Sequence, residues 1–187
     1  MSVQPQLTAT GPVPPRDFDA EQATLGSMLL NQEAALRVFT ILQPEDFYWE
    51  NHRAIYQAAR ACSERHEPVD LITVSAELRR RKLLEQVGGG TYLTALMGTV
   101  PTAAHVLRYA NTVEEKAYLR EVIVATGAIQ ELAYSNPENP LDTTNAMMER
   151  ALAIHRKRVA EDDGLRTWAA GKDRVMAIAR EAVAGRK

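Results

Sequence analysis

The chain has 187 residues, of which 45% are hydrophobic and 25% are charged, and its formal net charge at pH 7 is −2. This composition is typical of a globular protein and excludes a collagen-like, wholly disordered or disulfide-based chain. A single cysteine, Cys62, and the lack of any apolar run of about 18 residues predict a reduced, cytoplasmic protein without a membrane-spanning helix.

The first region, residues 1–16, is rich in proline and lacks apolar periodicity, which predicts a flexible tail. Order is expected to begin near Asp17–Asp19, because short acidic residues cap helix starts. A helix then carries its apolar side chains on one side, and these are Ala20, Leu25, Met28 and Leu29.

Four more helices are predicted before residue 101, and their apolar residues follow helical spacing. They cover residues 33–42, with Leu36 and Phe39 facing inward, then residues 52–65, residues 71–82 capped by Asp70, and residues 91–97. Gly88, Gly89 and Gly90 suit a turn between the last two helices. Since no alternating strand pattern occurs, the sequence predicts an all-α fold with a globular subdomain over residues 17–101.

After Pro101 the sequence predicts two long helices. Residues 103–134 contain no proline and would form a helix of roughly 45 Å. Prolines 137 and 140 force a turn, and a second helix covers residues 141–159. Together they predict an antiparallel hairpin over residues 102–161, followed by a linker-like basic helix over residues 162–187.

Apolar residues on both hairpin helices repeat at steps of three and four, which predicts a helix-pairing seam. On the first helix the seam is Tyr118, Val122, Ala125, Ile129 and Leu132, and on the second it is Leu141, Asn145, Met148, Leu152, His155 and Val159. Further apolar residues lie outside the seam, where one hairpin cannot bury them; these candidate self-association residues are Val124, Ala128, Met147, Ala151 and Ile154.

The sequence holds no recognisable catalytic, cofactor-binding or metal-binding constellation. Its Gly171-Lys172 pair lacks the other residues of a phosphate-binding P-loop. Cys62 and His66 have the spacing of two metal ligands on a helix but no second pair, so a core cysteine and a helix-end histidine are the favoured interpretation. We therefore expect no enzymatic activity from this chain and no cofactor in it.

Charge is unevenly distributed, with a net −7 over residues 1–149 and a net +5 over residues 150–187. Two basic clusters, residues 79–82 and Arg156-Lys157-Arg158, are candidate nucleic-acid contacts. No aromatic residues interleave with them to stack on bases, and cations also stabilise the ends of helices, so the structural explanation is favoured.

Short motifs in a fixed order resemble the N-terminal domain of the bacterial replicative DNA helicase, the DnaB family. They are Asp19-Ala20-Glu21-Gln22, Leu25-Gly26-Ser27-Met28-Leu29, Leu42-Gln43-Pro44-Glu45-Asp46-Phe47, His52-Arg53-Ala54-Ile55, Pro68-Val69-Asp70-Leu71-Ile72-Thr73-Val74, Val87-Gly88-Gly89, Tyr92-Leu93 and Tyr109-Ala110. The resemblance covers about residues 17–160.

The resemblance implies a helical globule followed by a hairpin that acts as an assembly and docking module in DNA replication. In that family hairpins pair, three pairs form a collar on a hexameric ring, and the collar receives the helicase-binding domain of primase. ATP hydrolysis, with its ATP and magnesium, belongs to a downstream motor domain that this chain does not match. The implied partners are a second copy of the chain, primase, and a helicase loader or full-length helicase.

Two other functions stay open at this point. A stand-alone relative could act as a helicase loader or inhibitor by capping a full-length hexamer. Alternatively, the basic C-terminal segment could bind single-stranded DNA directly, as an accessory protein would.

Overall fold

The computed structural model describes residues 13–161, and the side chains of residues 13–155. The regular elements of this part are all helices, with short 3-10 turns at Pro44–Asp46 and Ala103–His105 and no strand. Its helices are α1 (Phe18–Leu30), α2 (Gln32–Phe39), α3 (Glu50–Glu64), α4 (Leu71–Arg80), α5 (Gly89–Gly98), α6 (Val106–Tyr134) and α7 (Leu141–Glu161). The prediction of an all-α fold is confirmed.

Side-chain caps explain where three of the helices begin. A carboxylate oxygen of Asp17 accepts a hydrogen bond from the backbone N–H of Ala20 at 2.9 Å, and Asp70 caps α4 in the same way. Asn31 separates α1 from α2 and accepts a bond from Ala34 N–H at 2.9 Å. Each cap satisfies N–H groups that have no partner inside the helix. The two predicted aspartate caps are therefore confirmed.

The core of the globule forms around α1, which packs against α2, α5 and α6. Its largest fully buried side chains include Leu25, Met28, Phe47 and Tyr56. Burial raises the pKa of Tyr56 to about 12, and its hydroxyl donates a hydrogen bond to the carbonyl oxygen of Leu42.

A glycine allows α1 and α5 to approach closely. A Cβ atom built on Gly26 would lie 2.1 Å from the carbonyl oxygen of Leu96, which is backbone and cannot move aside easily. The motif position Gly26 is therefore explained by packing between two helices.

The glycine triplet lies slightly differently from the prediction. Gly88 has φ +103° and Gly89 has φ +69°, values that favour glycine, but α5 already begins at Gly89. The turn therefore covers residues 81–88 and ends at the first glycine, and Gly89 and Gly90 start the helix.

The prediction that Leu36 faces inward is wrong, because its side chain is 49% exposed. The buried positions of α2 are Ala34, Ala35 and Val38. A helix of eight residues has little more than two turns, so a small shift of its start changes which face meets the core.

Packing between the globule and the hairpin extends beyond the boundaries expected from sequence. The core includes Val106, Ala110 and Val113, so it continues past residue 101 into α6. Residues 13–16, expected to be part of the tail, also make contacts: Pro15 accepts a hydrogen bond from Arg120 at 2.8 Å. Residues 1–12 of the predicted tail and the predicted linker-like helix 162–187 lie outside the described residues.

Candidate interaction surface of the helical hairpin

The first part of α6 is a core helix. Val106, Ala110, Val113 and Ala117 are all buried, and they face α1 and α2. Successive members of this set are three or four residues apart, which places all four on one side of the helix. Up to Ala117, α6 therefore belongs to the globule.

Arg120 marks the point where α6 leaves the globule. Its guanidinium donates to the carbonyl oxygens of Pro15 at 2.8 Å and Asp46 at 2.5 Å, and it lies 5.7 Å from the ring centre of Tyr48. Burial lowers the pKa of Arg120. Because these contacts come from different parts of the chain, they hold the direction of the hairpin relative to the globule.

Beyond Ala117 the described part of the hairpin contains no fully buried side chain. The two helices run antiparallel and contact each other. Half-buried residues occur on both of them, and these include Tyr118, Val122 and Ile129 on α6 and Ala146 and Ile154 on α7. One helix packed on another covers only one side of each, so the remaining sides face solvent.

The exposed sides carry large apolar side chains, which we call the hairpin patch. Its members on α6 are Leu119, Ile123 and Val124, and its members on α7 are Met147, Met148 and Leu152. Val124 is 72% exposed and Met147 is 55% exposed. Exposed apolar side chains grouped in this way are typical of protein–protein contact sites, and methionine adapts well to a partner surface.

The five candidate self-association residues do not all lie in this patch. Val124, Met147 and Ala151 are exposed, whereas Ala128 and Ile154 are half-buried. Nothing in the monomer tests whether any of them contacts a second chain, so their role stays a prediction.

All five predicted seam residues of α6 are half-buried, as a seam requires, whereas the seam predicted on α7 is wrong. Met148 and Leu152 were assigned to the seam, yet both are more than half exposed. The half-buried residues of α7 are instead Thr143, Ala146 and Ile154. Both sets repeat at helical spacing, so periodicity alone could not choose between them.

The basic candidates Arg156, Lys157 and Arg158 fall in the last turns of α7, but their side chains lie outside the described residues. Their role in nucleic-acid binding stays a prediction.

Sequence reasoning missed a buried polar network that joins α1, α3 and α5. His52 contacts Glu21 at 2.7 Å through Nδ1 and the hydroxyl of Tyr92 at 2.6 Å through Nε2. Glu21 also accepts a bond from the backbone N–H of Tyr48 at 2.7 Å, and Gln22 donates to Tyr92. Each of these groups has a hydrogen-bond partner, which is what burial requires of polar side chains.

Neither a metal-binding group nor a membrane-spanning helix is found in the described part of the chain. No three His, Cys, Asp or Glu side chains among those residues come together in a way that could hold a metal ion. Cys62 is fully buried, and burial raises the pKa of its thiol. Within the same residues, no helix is both long enough and apolar enough to cross a membrane.

Comparison with known proteins identifies close relatives. A family model described as "DnaB-like helicase N terminal domain" matches residues 13–115, which is more than half of the chain. The chain is 38% identical over 146 residues to the replicative DNA helicase DnaC of Bacillus subtilis, and 44% identical over 126 residues to the replicative DNA helicase DnaB of Geobacillus stearothermophilus. These alignments cover 78% and 67% of this chain but only 32% and 28% of the relatives, so the chain spans about a third of their length.

Two solved structures support the same family assignment. The crystal structure of the N-terminal domain of DnaB helicase from Mycobacterium tuberculosis matches with a TM-score of 0.69 and 40% identity, covering 74% of this chain and 97% of that one. A second match is the structure of a DnaB-like replicative helicase, described together with its interactions with primase. It has a TM-score of 0.62 and 28% identity, and covers 79% of this chain and 36% of that one.

Proposed function

Because this chain belongs to the DnaB-like helicase N-terminal domain family, we propose that it acts in DNA replication as a collar and assembly domain of a replicative helicase. In this role it pairs with a second copy of itself through the hairpin and offers the paired surface to primase or a loader. The observation that carries the proposal is the hairpin patch beyond Ala117.

Burial of the apolar side chains in the hairpin patch provides enough free energy for two copies to pair. Fully burying one large apolar side chain contributes roughly 1.5–3 kcal/mol, and half of that is available where the side chain is already half-covered. Association costs at least about 4 kcal/mol in lost freedom of motion. A two-fold pair buries the same residues on both chains, so each covered side chain counts twice, and four of them per copy already exceed this cost.

The globule supports this function by fixing the hairpin. The buried residues of α6 and the contacts of Arg120 hold the hairpin at its base, so its exposed apolar residues keep a fixed orientation relative to the globule. A surface that is already oriented loses less freedom on binding than a flexible one.

The proposal also includes the docking of primase on the paired hairpins. It is supported by the matched helicase structure, which was described with its interactions with primase. We expect ATP hydrolysis to require a motor domain of the kind found in full-length replicative helicases, and we expect no cofactor, metal or catalytic residue within residues 13–161. We also expect a cytoplasmic location.

Self-association is tested by sedimentation equilibrium of the chain at tens of micromolar. Val124→Asp and Met147→Asp place a charge in the patch and should each raise the dissociation constant at least about tenfold, since burying an unpaired charge costs well over 1.4 kcal/mol. Leu36→Asp is the matched control, because it changes an exposed apolar residue on α2 instead.

The control should associate like the unmodified chain, and all three variants should unfold at nearly the same temperature. A chain that is monomeric throughout, or variants that associate as well as the control, would contradict the pairing proposal. Binding of a primase helicase-binding domain to the same variants then tests whether docking needs the paired hairpin.

A further inference from the structure

Three aromatic side chains form a surface on the globule where α1 and α3 begin. Phe18 is the first residue of α1, and Tyr48 and Trp49 directly precede α3. The ring centres of Phe18 and Trp49 lie 4.8 Å apart and those of Tyr48 and Trp49 lie 5.0 Å apart, and both contacts are edge-to-face. We call these three residues the aromatic shelf. Phe18 is 40% exposed and the other two are half-buried, so the shelf is partly open to solvent.

The buried polar network holds the shelf from below. One face of Phe18 stacks on the imidazole of His52, with ring centres 5.3 Å apart and 28° between the ring planes. The backbone N–H of Tyr48 donates to Glu21, which also contacts His52. Because His52 and Glu21 are buried, the rings keep their positions before any ligand binds. Binding to a preorganised site costs less conformational freedom than binding to a flexible one.

The shelf already carries one cation from its own chain. The guanidinium of Arg16 lies 5.0 Å from the ring centre of Tyr48 and 5.7 Å from that of Trp49, which is the range of a cation–π contact. It also donates to the hydroxyl of Tyr48 at 3.3 Å. Arg16 is exposed, so this contact is made at the surface and not in the core. Among the described residues no cation lies over Phe18, so the contact of Arg16 uses only one end of the shelf.

The charges beside the shelf favour a cationic ligand. Asp19 directly follows the first shelf residue and Glu50 the last, and both carboxylates are exposed. Neither makes a hydrogen bond or an ion pair with another described residue. The guanidinium groups of Arg53 and Arg120, by contrast, are turned toward backbone carbonyl oxygens and donate to them. A phosphate would be repelled by the two carboxylates, whereas a basic side chain would be attracted.

We propose that the aromatic shelf binds an arginine-bearing segment of a partner protein. One guanidinium of the segment lies on Phe18 with its charge toward Asp19, and a second replaces Arg16 on Trp49. Arginine suits the shelf better than lysine, because its planar guanidinium both stacks on rings and pairs with carboxylates. Aromatic residues and arginine are also enriched in protein contact sites. The shelf shares no residue with the hairpin patch, so this inference does not depend on pairing through the hairpin.

A short peptide tests the chemistry of the shelf. The probe is acetyl-Arg-Gly-Arg-amide, and its match carries citrulline in place of arginine, which keeps the shape but removes the charge. The chain has two tryptophans, so Trp168→Phe leaves Trp49 as the source of the indole N–H resonance in NMR spectra. We expect the arginine peptide to shift this resonance saturably, with a dissociation constant on the order of millimolar, because exposed cation contacts are weak. The citrulline peptide should bind at least about threefold more weakly.

Substitutions in the same Trp168→Phe chain locate the site. Phe18→Ala and Asp19→Asn should each raise the dissociation constant of the arginine peptide about twofold to threefold, since each removes one contact. Glu33→Gln is the matched control for charge, because it removes an exposed carboxylate of α2. Tyr134→Ala is the matched control for the ring, because Tyr134 is 82% exposed on the hairpin. Neither control should change the binding, and thermal unfolding verifies that every variant is folded.

Arg16 provides a test in the opposite direction. Arg16→Ala should strengthen binding of the arginine peptide, because the guanidinium of the chain itself no longer competes for Trp49. Arg37→Ala is the matched control, since it removes an exposed arginine from α2 and changes the net charge equally. If Arg16 only held the shelf in place, its removal would weaken binding instead.

Four results would overturn the inference. They are equal binding of the arginine and citrulline peptides, binding that Phe18→Ala and Asp19→Asn leave unchanged, binding by Arg16→Ala that is no stronger than by Arg37→Ala, and tighter binding of a single-stranded oligothymidylate at the same resonance. The last result would assign the shelf to nucleic acid. None of these measurements requires self-association, so a failure here leaves the pairing proposal to its own sedimentation test.

Discussion

The globule and the hairpin beyond Ala117 are made of the same kind of helix but differ in how completely they bury apolar side chains. Both buried and exposed apolar side chains occur on α6, which is one continuous helix. Val106, Ala110, Val113 and Ala117 are buried against the globule, while Ile123 and Val124, only a few residues further, are more than half exposed.

The two regions therefore differ in how their apolar surface is covered. The buried polar side chains of the described globule, including the Glu21–His52–Tyr92 network, all have hydrogen-bond partners. The hairpin leaves apolar surface uncovered, and that surface gains free energy only when another chain covers it. The four predictions below either break or sharpen this contrast, starting with the largest effect.

Removing a large side chain should cost far more in the globule than in the hairpin. Phe47 is fully buried, and Phe47→Ala should lower the free energy of unfolding by about 3–5 kcal/mol, because it leaves a cavity. Leu152→Ala, on the hairpin, should cost below about 1 kcal/mol in the monomer, because Leu152 is half exposed. Urea denaturation at low protein concentration measures both, and equal losses would break the contrast.

Adding one methyl group should distinguish close packing from open surface. Gly26→Ala would place a Cβ 2.1 Å from the backbone oxygen of Leu96, so α1 and α5 must move apart, at a cost of roughly 1–3 kcal/mol. Thermal unfolding followed by circular dichroism should show a lower midpoint. An unchanged midpoint would mean that α1 and α5 do not pack as closely as the structure indicates.

The globule should also lose stability in acid through Glu77. Its hydrogen bonds with Arg80, then those with Arg81, lower the pKa of Glu77 from 4.5 to about 2, against the opposing effect of burial. A pKa that is depressed in the folded state stabilises the fold above about pH 4.5, and this stabilisation disappears as the pH falls toward 2. Because the arginines are partly exposed to solvent, we expect about 1–2 kcal/mol.

Comparing Glu77→Gln with the unmodified chain isolates this contribution. At pH 7 the variant should be less stable, and the difference should shrink between pH 4.5 and 2. Glu33→Gln is the control, because Glu33 forms only an exposed ion pair with Arg37 and should have almost no effect. If the stability difference for Glu77→Gln did not change with pH, the ion pairs would not stabilise the fold.

The smallest effect should be a gain on the hairpin. A Cβ on Gly127 would meet no atom within 4 Å, so Gly127→Ala should stabilise α6 by roughly 0.5–1 kcal/mol through helix propensity alone. Urea denaturation measures the gain. A loss of stability instead would show that the hairpin is as tightly packed at this point as the globule is at Gly26.

Much of the fold could be predicted from local chemistry. Asp17 and Asp70 were expected to cap helices, and they do so, because capping needs only a short polar side chain next to its own helix. The hairpin was likewise visible in the proline-free stretch after Pro101 and in the prolines of the turn. The motifs of α1 and of residues 42–47 led to the family, which the comparisons then confirmed.

The candidate surfaces were predicted less completely. Val124 and Met147 were placed on the outside correctly, but Met148 and Leu152 were assigned to the seam and lie outside as well. Arg80 and Arg81 were predicted only as part of a basic run at a helix end, without Glu77 as their partner. The sequence alone does not define how α7 is rotated about its axis, and it does not show that Arg65 lies opposite α4.

The sequence by itself determined the helical class, the approximate helix bounds and the family, because caps, glycines, prolines and apolar spacing act over a few residues. Only the tertiary structure decided which sides of α6 and α7 remain uncovered, where the core ends along α6, and how Glu77 gathers three arginines. These features depend on contacts between residues far apart in the chain, and helical periodicity is compatible with more than one way of making them.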